Sequence, residues 1–64
     1  MQAHEFRVVQ EQEDLAYKLE RLSVFISASP HFTSLPDEDK TLLRRQREIM
    51  LEYHEVLGDR IGRF

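Results

Sequence analysis

The sequence predicts an all-α fold in which two long helices form an antiparallel hairpin. Apolar residues recur at intervals of three, four and seven positions over two long stretches, and a short segment with both prolines separates them. Composition agrees, because the chain has only two glycines and 33% of its residues are charged, many of them helix-forming Glu and Arg. A β-rich fold would need more turn residues than these.

Size and composition limit what this hairpin can be. Sixty-four residues suffice for one small domain, which we assign to residues 1–64. The absence of cysteine excludes disulfides and thiolate metal sites and is compatible with a reducing cytoplasm. The net charge of −3 argues against duplex nucleic acid as a partner. With no membrane-length apolar run and no signal peptide at the start, we expect a soluble, cytoplasmic protein.

The first helix is predicted over about residues 4–27. Val8, Leu15 and Leu22 are seven residues apart, and Leu19 adds a fourth apolar side chain to the same face. This face is expected to meet the second helix. The opposite flank is mixed, and consists of Arg7, Glu11, Lys18 and Phe25.

The elbow is predicted over residues 28–35. Pro30 ends the first helix because it disfavours helical geometry at the preceding residue and lacks a backbone donor. Phe32 and Leu35 are expected to fold back and cover the bend.

The second helix is predicted over about residues 36–61. Pro36 suits a first-turn position, and the acidic residues 37–39 stabilise the positive end of the helix dipole. Farther along, side chains seven residues apart form three parallel columns. The first apolar column is Leu43, Met50, Leu57 and Phe64; the second apolar column is Leu42, Ile49 and Val56; the polar column between them is Gln46, Tyr53 and Arg60.

The polar column needs hydrogen-bond partners if this face is covered. One interpretation is a seam that fixes the register of an oligomer, with Arg60 paired to Glu11, the Tyr53 hydroxyl in water and Gln46 bonded across a subunit interface. The other interpretation is a pocket between protomers in which the column meets a polar ligand. The sequence leaves both open.

Antiparallel pairing places Tyr53 near Leu15 and Gln46 near Leu22. One neighbour cannot cover the whole apolar face of the second helix, so we expect self-association into a helical bundle oligomer, either a dimer or a ring of dimers. The first apolar column is assigned to the oligomer interface: Leu43, Met50, Leu57 and Phe64.

No constellation for catalysis is present. His4, His31 and His54 are scattered, with no pair at the ligand spacing of a helix. There is no glycine-rich phosphate loop and no Ser/His/Asp arrangement, and the many carboxylates lie at outward positions. We predict that the protein is not an enzyme and has no catalytic residue, no metal and no cofactor.

Two groups of cations are candidates for binding an anion. The basic cluster, Lys40, Arg44, Arg45 and Arg47, is either a solvated face with an Arg44–Glu48 pair or an anion site near a helix N-terminus. Lys18 and Arg7 beside Phe25 suit a nucleotide, because a ring can stack on the base while cations meet the phosphates.

Order and spacing of these residues resemble a family of small helical-hairpin proteins of phages and prophages, first named from crAss-like phages. The resemblance rests on Arg7, Val8, Glu11, Leu15, Lys18, Leu22, Phe25, Ile26, Pro30, Phe32, Leu35, Leu42, Leu43, Gln46, Met50, Tyr53, Leu57, Arg60 and Ile61. The hairpin is similar to the helical unit of nucleotide sponges with which phages counter CBASS and Thoeris immunity.

This resemblance implies a phage anti-defence protein in the cytoplasm of an infected bacterial host. It implies that a cyclic oligonucleotide or cyclic ADP-ribose signal is held between protomers without cleavage. The ligand-binding residues nominated at the positions of the pattern are Arg7, Lys18, Gln46, Tyr53 and Arg60. The alternative functions are a non-enzymatic interaction module that bundles with a host or phage protein, and a purely structural oligomer.

Overall fold

The computed structural model describes all 64 residues. Helix α1 spans Ala3–Ala28, the short helix α2 spans Pro30–Thr33, and helix α3 spans Asp37–Ile61. Helices α1 and α3 pack side by side in a rod of 46 × 15 × 13 Å. The predicted all-α hairpin is confirmed. Self-association stays a prediction.

Local hydrogen bonds set the beginning of α1 and the bend that follows it. The backbone N–H of Gln2 donates to the Glu5 carboxylate at 2.7 Å, which places negative charge at the helix N-terminus. At the other end Ser29 is extended, with φ −83° and ψ 128°, as a residue before proline prefers. Its hydroxyl accepts a hydrogen bond from the backbone N–H of His31 at 3.2 Å and thereby caps α2, a helix that the sequence pattern did not predict.

The elbow is closed by Phe32, which is only 4% exposed. Its ring meets Phe25 edge to face, with centroids 6.0 Å apart and an interplanar angle of 80°. From α3, the Arg44 guanidinium carbon and the Lys40 ammonium lie 5.2 and 6.0 Å from the ring centroid. The prediction that Phe32 covers the bend is confirmed, and Leu35 beside it is half-buried.

The core of the hairpin is a single narrow seam. Val8 and Leu15 of α1 meet Leu57 of α3, which has no exposed surface at all. Met50 and Ile61 pack against the same cluster from α3. Apart from Phe32 at the elbow, the first three of these are the only buried apolar residues of the hairpin, so its stability depends on this contact.

The first apolar column of α3 therefore faces α1 rather than the solvent. Leu57 is fully buried inside the hairpin, while Met50 and Leu43 are half-buried along the same seam. Phe64 lies beyond the end of α3 and is exposed. Because α1 already covers Leu57, that residue has no surface left for the oligomer interface to which the sequence analysis assigned it.

The second apolar column stays open instead. Leu42, Ile49 and Val56 expose 61%, 53% and 53% of their surface. They form a continuous apolar stripe on the outer side of α3, since each lies two turns after the one before.

A polar contact marks the register of the two long helices. The Gln12 side-chain amide donates a long hydrogen bond, 3.5 Å, to the backbone carbonyl of His54. A Cβ on Gly58 would lie 3.1 Å from the same amide nitrogen, so glycine leaves the space that Gln12 occupies. Tyr53 and Leu15 line one groove, as the predicted antiparallel pairing requires.

Leu57→Ala is expected to lower the free energy of unfolding by about 2–5 kcal/mol, because it removes a fully buried side chain and leaves a cavity. The matched control is Leu51→Ala on the same helix. Leu51 is 48% exposed, and its replacement should change stability by no more than about 0.5 kcal/mol. Urea unfolding followed by circular dichroism at one protein concentration measures the free energy of unfolding of both variants. Equal decreases in the two variants would contradict the assigned core.

Candidate functional site

A groove of about 320 Å³ runs along one side of the hairpin, between α1 and α3. All but one of its lining residues come from α1. Its walls combine two cations, two carboxylates, an amide, an aliphatic side chain and a phenol. The lining residues are Arg7, Gln10, Glu11, Asp14, Leu15, Lys18 and Tyr53.

Helical spacing explains why these side chains converge. Arg7, Glu11 and Lys18 follow one another at intervals of four and seven residues, so they share one flank of α1. The antiparallel seam then brings Tyr53 of α3 to the level of Leu15. Tyr53 is 43% exposed and lines this groove.

The cations of the groove are free to meet an anion from outside the protein. The structure has one ion pair, Lys40–Asp37 at 4.0 Å, so neither Arg7 nor Lys18 is paired with a carboxylate. Arg7 and Lys18 stand three turns apart, about 16 Å along the helix axis. Tyr53, at the level of Leu15, adds an aromatic surface about one turn from Lys18 and about two turns from Arg7. A ring and cations along one groove suit a ligand with phosphates and a base.

Three of the five predicted ligand-binding residues thus meet in one groove. Gln46 lies outside it, and its amide makes only a weak 3.9 Å contact to the Met50 sulfur. Arg60 is exposed near the end of α3 and forms no ion pair, so the predicted Arg60–Glu11 pair is absent. Gln46 lines a different concavity, of about 310 Å³ on α3, together with Leu42, Arg45, Ile49 and Met50.

The basic cluster of α3 does not gather into one anion site. Lys40 and Arg44 lie over the ring of Phe32, and Lys40 is the partner of Asp37 in the ion pair. Arg45 is instead part of the concavity on α3. The predicted Arg44–Glu48 pair is not formed either. Lys40 and Arg44 thus contact the elbow, a role that neither interpretation of the cluster had predicted.

Sequence reasoning missed a second groove, of about 540 Å³, on the outer side of α1. There the Arg21 guanidinium donates to the Tyr17 hydroxyl at 3.0 Å and lies 5.5 Å from its ring centroid. The sequence does contain a signal for this contact, because Tyr and Arg four residues apart share a helix face. Phe25 belongs to this groove and to the elbow, so it does not stand beside Arg7 and Lys18 as predicted.

No group of three or more His, Asp or Glu side chains is arranged to hold a metal ion. None of the helices combines the length and the apolar character that crossing a membrane requires.

The fold and the groove define a small all-α helical-hairpin protein with exposed cations and a tyrosine along one flank. The chain belongs to the Sequestin family, whose model matches residues 2–63 and so covers the whole hairpin. The family name indicates a protein that sequesters its partner. No curated protein and no solved structure matches the chain.

Arg44→Gln is expected to destabilise the hairpin by about 0.5–1 kcal/mol, because it removes a cation from the face of the Phe32 ring. Arg7→Gln is the control, since Arg7 is an exposed cation of α1 with no ion pair. The midpoints of urea unfolding compare the two. If Arg7→Gln lowered the urea midpoint as much as Arg44→Gln, the result would contradict the role of Arg44 in the elbow.

Proposed function

We propose that this protein sequesters a cyclic nucleotide immune signal, of the cyclic oligonucleotide or cyclic ADP-ribose type. It would act as a phage sponge in the cytoplasm of an infected bacterium and counter CBASS or Thoeris immunity. The observation that supports the proposal is the groove in which Arg7, Lys18 and Tyr53 meet. Membership of the Sequestin family supports the sequestering role.

Each part of the groove matches a part of such a ligand. Arg7 and Lys18 can each neutralise a phosphate, and Arg7 can do so with two parallel hydrogen bonds. The Tyr53 ring offers a stacking surface for a base. Glu11 and Asp14, between the cations, can accept hydrogen bonds from ribose hydroxyls or from the amino group of a base.

The same carboxylates disfavour a long nucleic acid. Duplex DNA or RNA binds through many phosphate contacts, and Glu11 and Asp14 would repel a continuous phosphate backbone along this flank. A small cyclic ligand places few phosphates and can avoid them. The groove therefore favours a compact signal over a polymer.

Sequestration requires binding without turnover. A sponge lowers the free concentration of a signal only in proportion to its own amount, so it needs tight binding and abundance rather than a catalytic group. A single hairpin leaves the groove open on one side, whereas ligand sites generally cover most of a small ligand. The proposal therefore includes a homo-oligomer in which a second protomer helps to enclose the signal.

An interaction module remains the second candidate, and one observation favours it. Phe6, Tyr17 and Val24 are exposed along the outer side of α1, away from the seam. Exposed apolar side chains in line on a helix are typical of surfaces that bind another helix. In this case the protein would bundle with a host or phage protein.

Calorimetric titration with cyclic di- and trinucleotides and cyclic ADP-ribose isomers tests the sponge. One member of the panel should bind. Lys18→Glu and Arg7→Glu should each raise its dissociation constant at least about tenfold, since each variant loses a charge-assisted hydrogen bond. Arg21→Glu is the matched control, because Arg21 lies on α1 outside the groove and should leave the affinity unchanged.

The ligand recovered after binding should be chemically intact by chromatography. No heat from any member of the panel, on protein shown to be helical, would contradict a sponge for these signals. An equal loss in Arg21→Glu would contradict the groove as its site.

The interaction module predicts a different pattern. Phe6→Ser and Val24→Ser should abolish capture of a protein from infected-cell lysate and leave nucleotide titrations unchanged. Capture that persists in both variants would remove the support of this surface for the second candidate.

A further inference from the structure

We infer that α3 packs against α3 of a second copy, antiparallel, through the second apolar column and the polar column. The two-fold axis of this dimer passes near the level of Leu51. The first support is the spacing of the exposed stripe. From here on the stripe includes both the second apolar column and the polar column. Its residues alternate at intervals of four and three, the repeat of a coiled-coil seam: Leu42, Gln46, Ile49, Tyr53, Val56 and Arg60.

This stripe is separate from the seam with α1. Leu43 and Leu57 point toward α1, whereas Leu42 and Val56, each one position earlier, are turned by about 100° around the helix. A helix in a four-helix bundle has two neighbours at roughly that angle. One direction of α3 is occupied by α1, and the other is exposed and apolar.

The surface of the stripe already has the shape that a partner helix needs. The concavity of about 310 Å³ on α3 is lined by Leu42, Arg45, Gln46, Ile49 and Met50. The first four have the spacing of a hole that accepts a knob in a coiled coil. In the antiparallel register Gln46 lies opposite the partner's Val56, and that side chain is the knob. The same register places Ile49 against the partner's Tyr53, and Leu42 against the stem of the partner's Arg60.

Charges at the edge of the stripe select the antiparallel orientation. Arg45 and Asp59 lie on the same edge, two heptads apart, and neither forms an ion pair within the hairpin. Antiparallel pairing sets Arg45 beside the partner's Asp59, twice per dimer, whereas Glu52 on the same edge meets its own copy only once, at the two-fold axis. It also brings Arg60 toward the partner's acidic first turn, residues 37–39. Parallel pairing offers neither contact, because this edge would then face the partner's first apolar column.

This dimer deepens the proposed binding site. Tyr53 belongs both to the stripe and to the groove, so the partner's Ile49 packs beside it. The partner's α3 then forms a further wall of the groove along its open edge. This last step rests on the proposed function, whereas the dimer itself does not.

Disulfide trapping tests the orientation directly, because the chain has no cysteine of its own. Ile49→Cys and Tyr53→Cys are purified separately, mixed and oxidised, and the products are separated by mass. Antiparallel pairing predicts the mixed disulfide, nearly to the exclusion of the two homodisulfides. Homodisulfides as the main products would show a parallel pair, and no disulfide at all would overturn the interface.

Sedimentation of the ligand-free protein tests the surface without cysteines. Wild type should be a dimer, Ile49→Glu a helical monomer, and the control Leu51→Glu, on the other side of α3, still a dimer. Arg45→Asp should weaken dimerisation at least about tenfold, and adding Asp59→Arg should restore it. A dimer that survives Ile49→Glu, or a double variant that stays weak, would overturn the proposal.

Titration of the same proteins with the nucleotide panel separates the two proposals. A dimer that binds no nucleotide leaves the interface standing and contradicts the sponge. An Ile49→Glu monomer that binds as tightly as wild type contradicts the partner's wall and leaves the sponge standing.

Discussion

The burial of Leu57 against Val8 and Leu15 is the contact on which the other features depend. Each of the two long helices buries one face against the other. A chain this short has no further long helix whose packing could set the rotation of α3 about its axis. Once Leu57 faces α1, the rotation of α3 is set. Tyr53 then stands at the edge of the α1 flank that holds Arg7 and Lys18, and Ile49 points outward.

The hairpin was predictable because periodicity and proline are local signals. The rotation of α3 was not, because the columns that begin at Leu42 and Leu43 are both apolar and have the same spacing. The first column was therefore predicted to form the oligomer interface, whereas in the structure Leu57 is buried and Met50 half-buried within one chain. A difference of about 100° in helix rotation separates these two outcomes.

The candidate site was predictable only in part, for a related reason. Arg7 and Lys18 share a flank of one helix, which spacing alone reveals, but their meeting with Tyr53 depends on where two helices lie relative to each other. Gln46 was grouped with Tyr53 because both belong to the polar column, yet a groove between helices follows the seam and not the column. Phe25 was misplaced because the elbow, a non-local feature, draws it toward Phe32.

The cations and the phenol of the groove are exposed, and none of them belongs to the core. Substitutions at such positions usually change stability by no more than about 0.5 kcal/mol. The core residues of α1 and the cations of the groove thus lie on different faces of the helix, so the two sets can be substituted independently. Single substitutions at Arg7 or Lys18 are therefore expected to leave a folded protein, whatever they do to the proposed binding site.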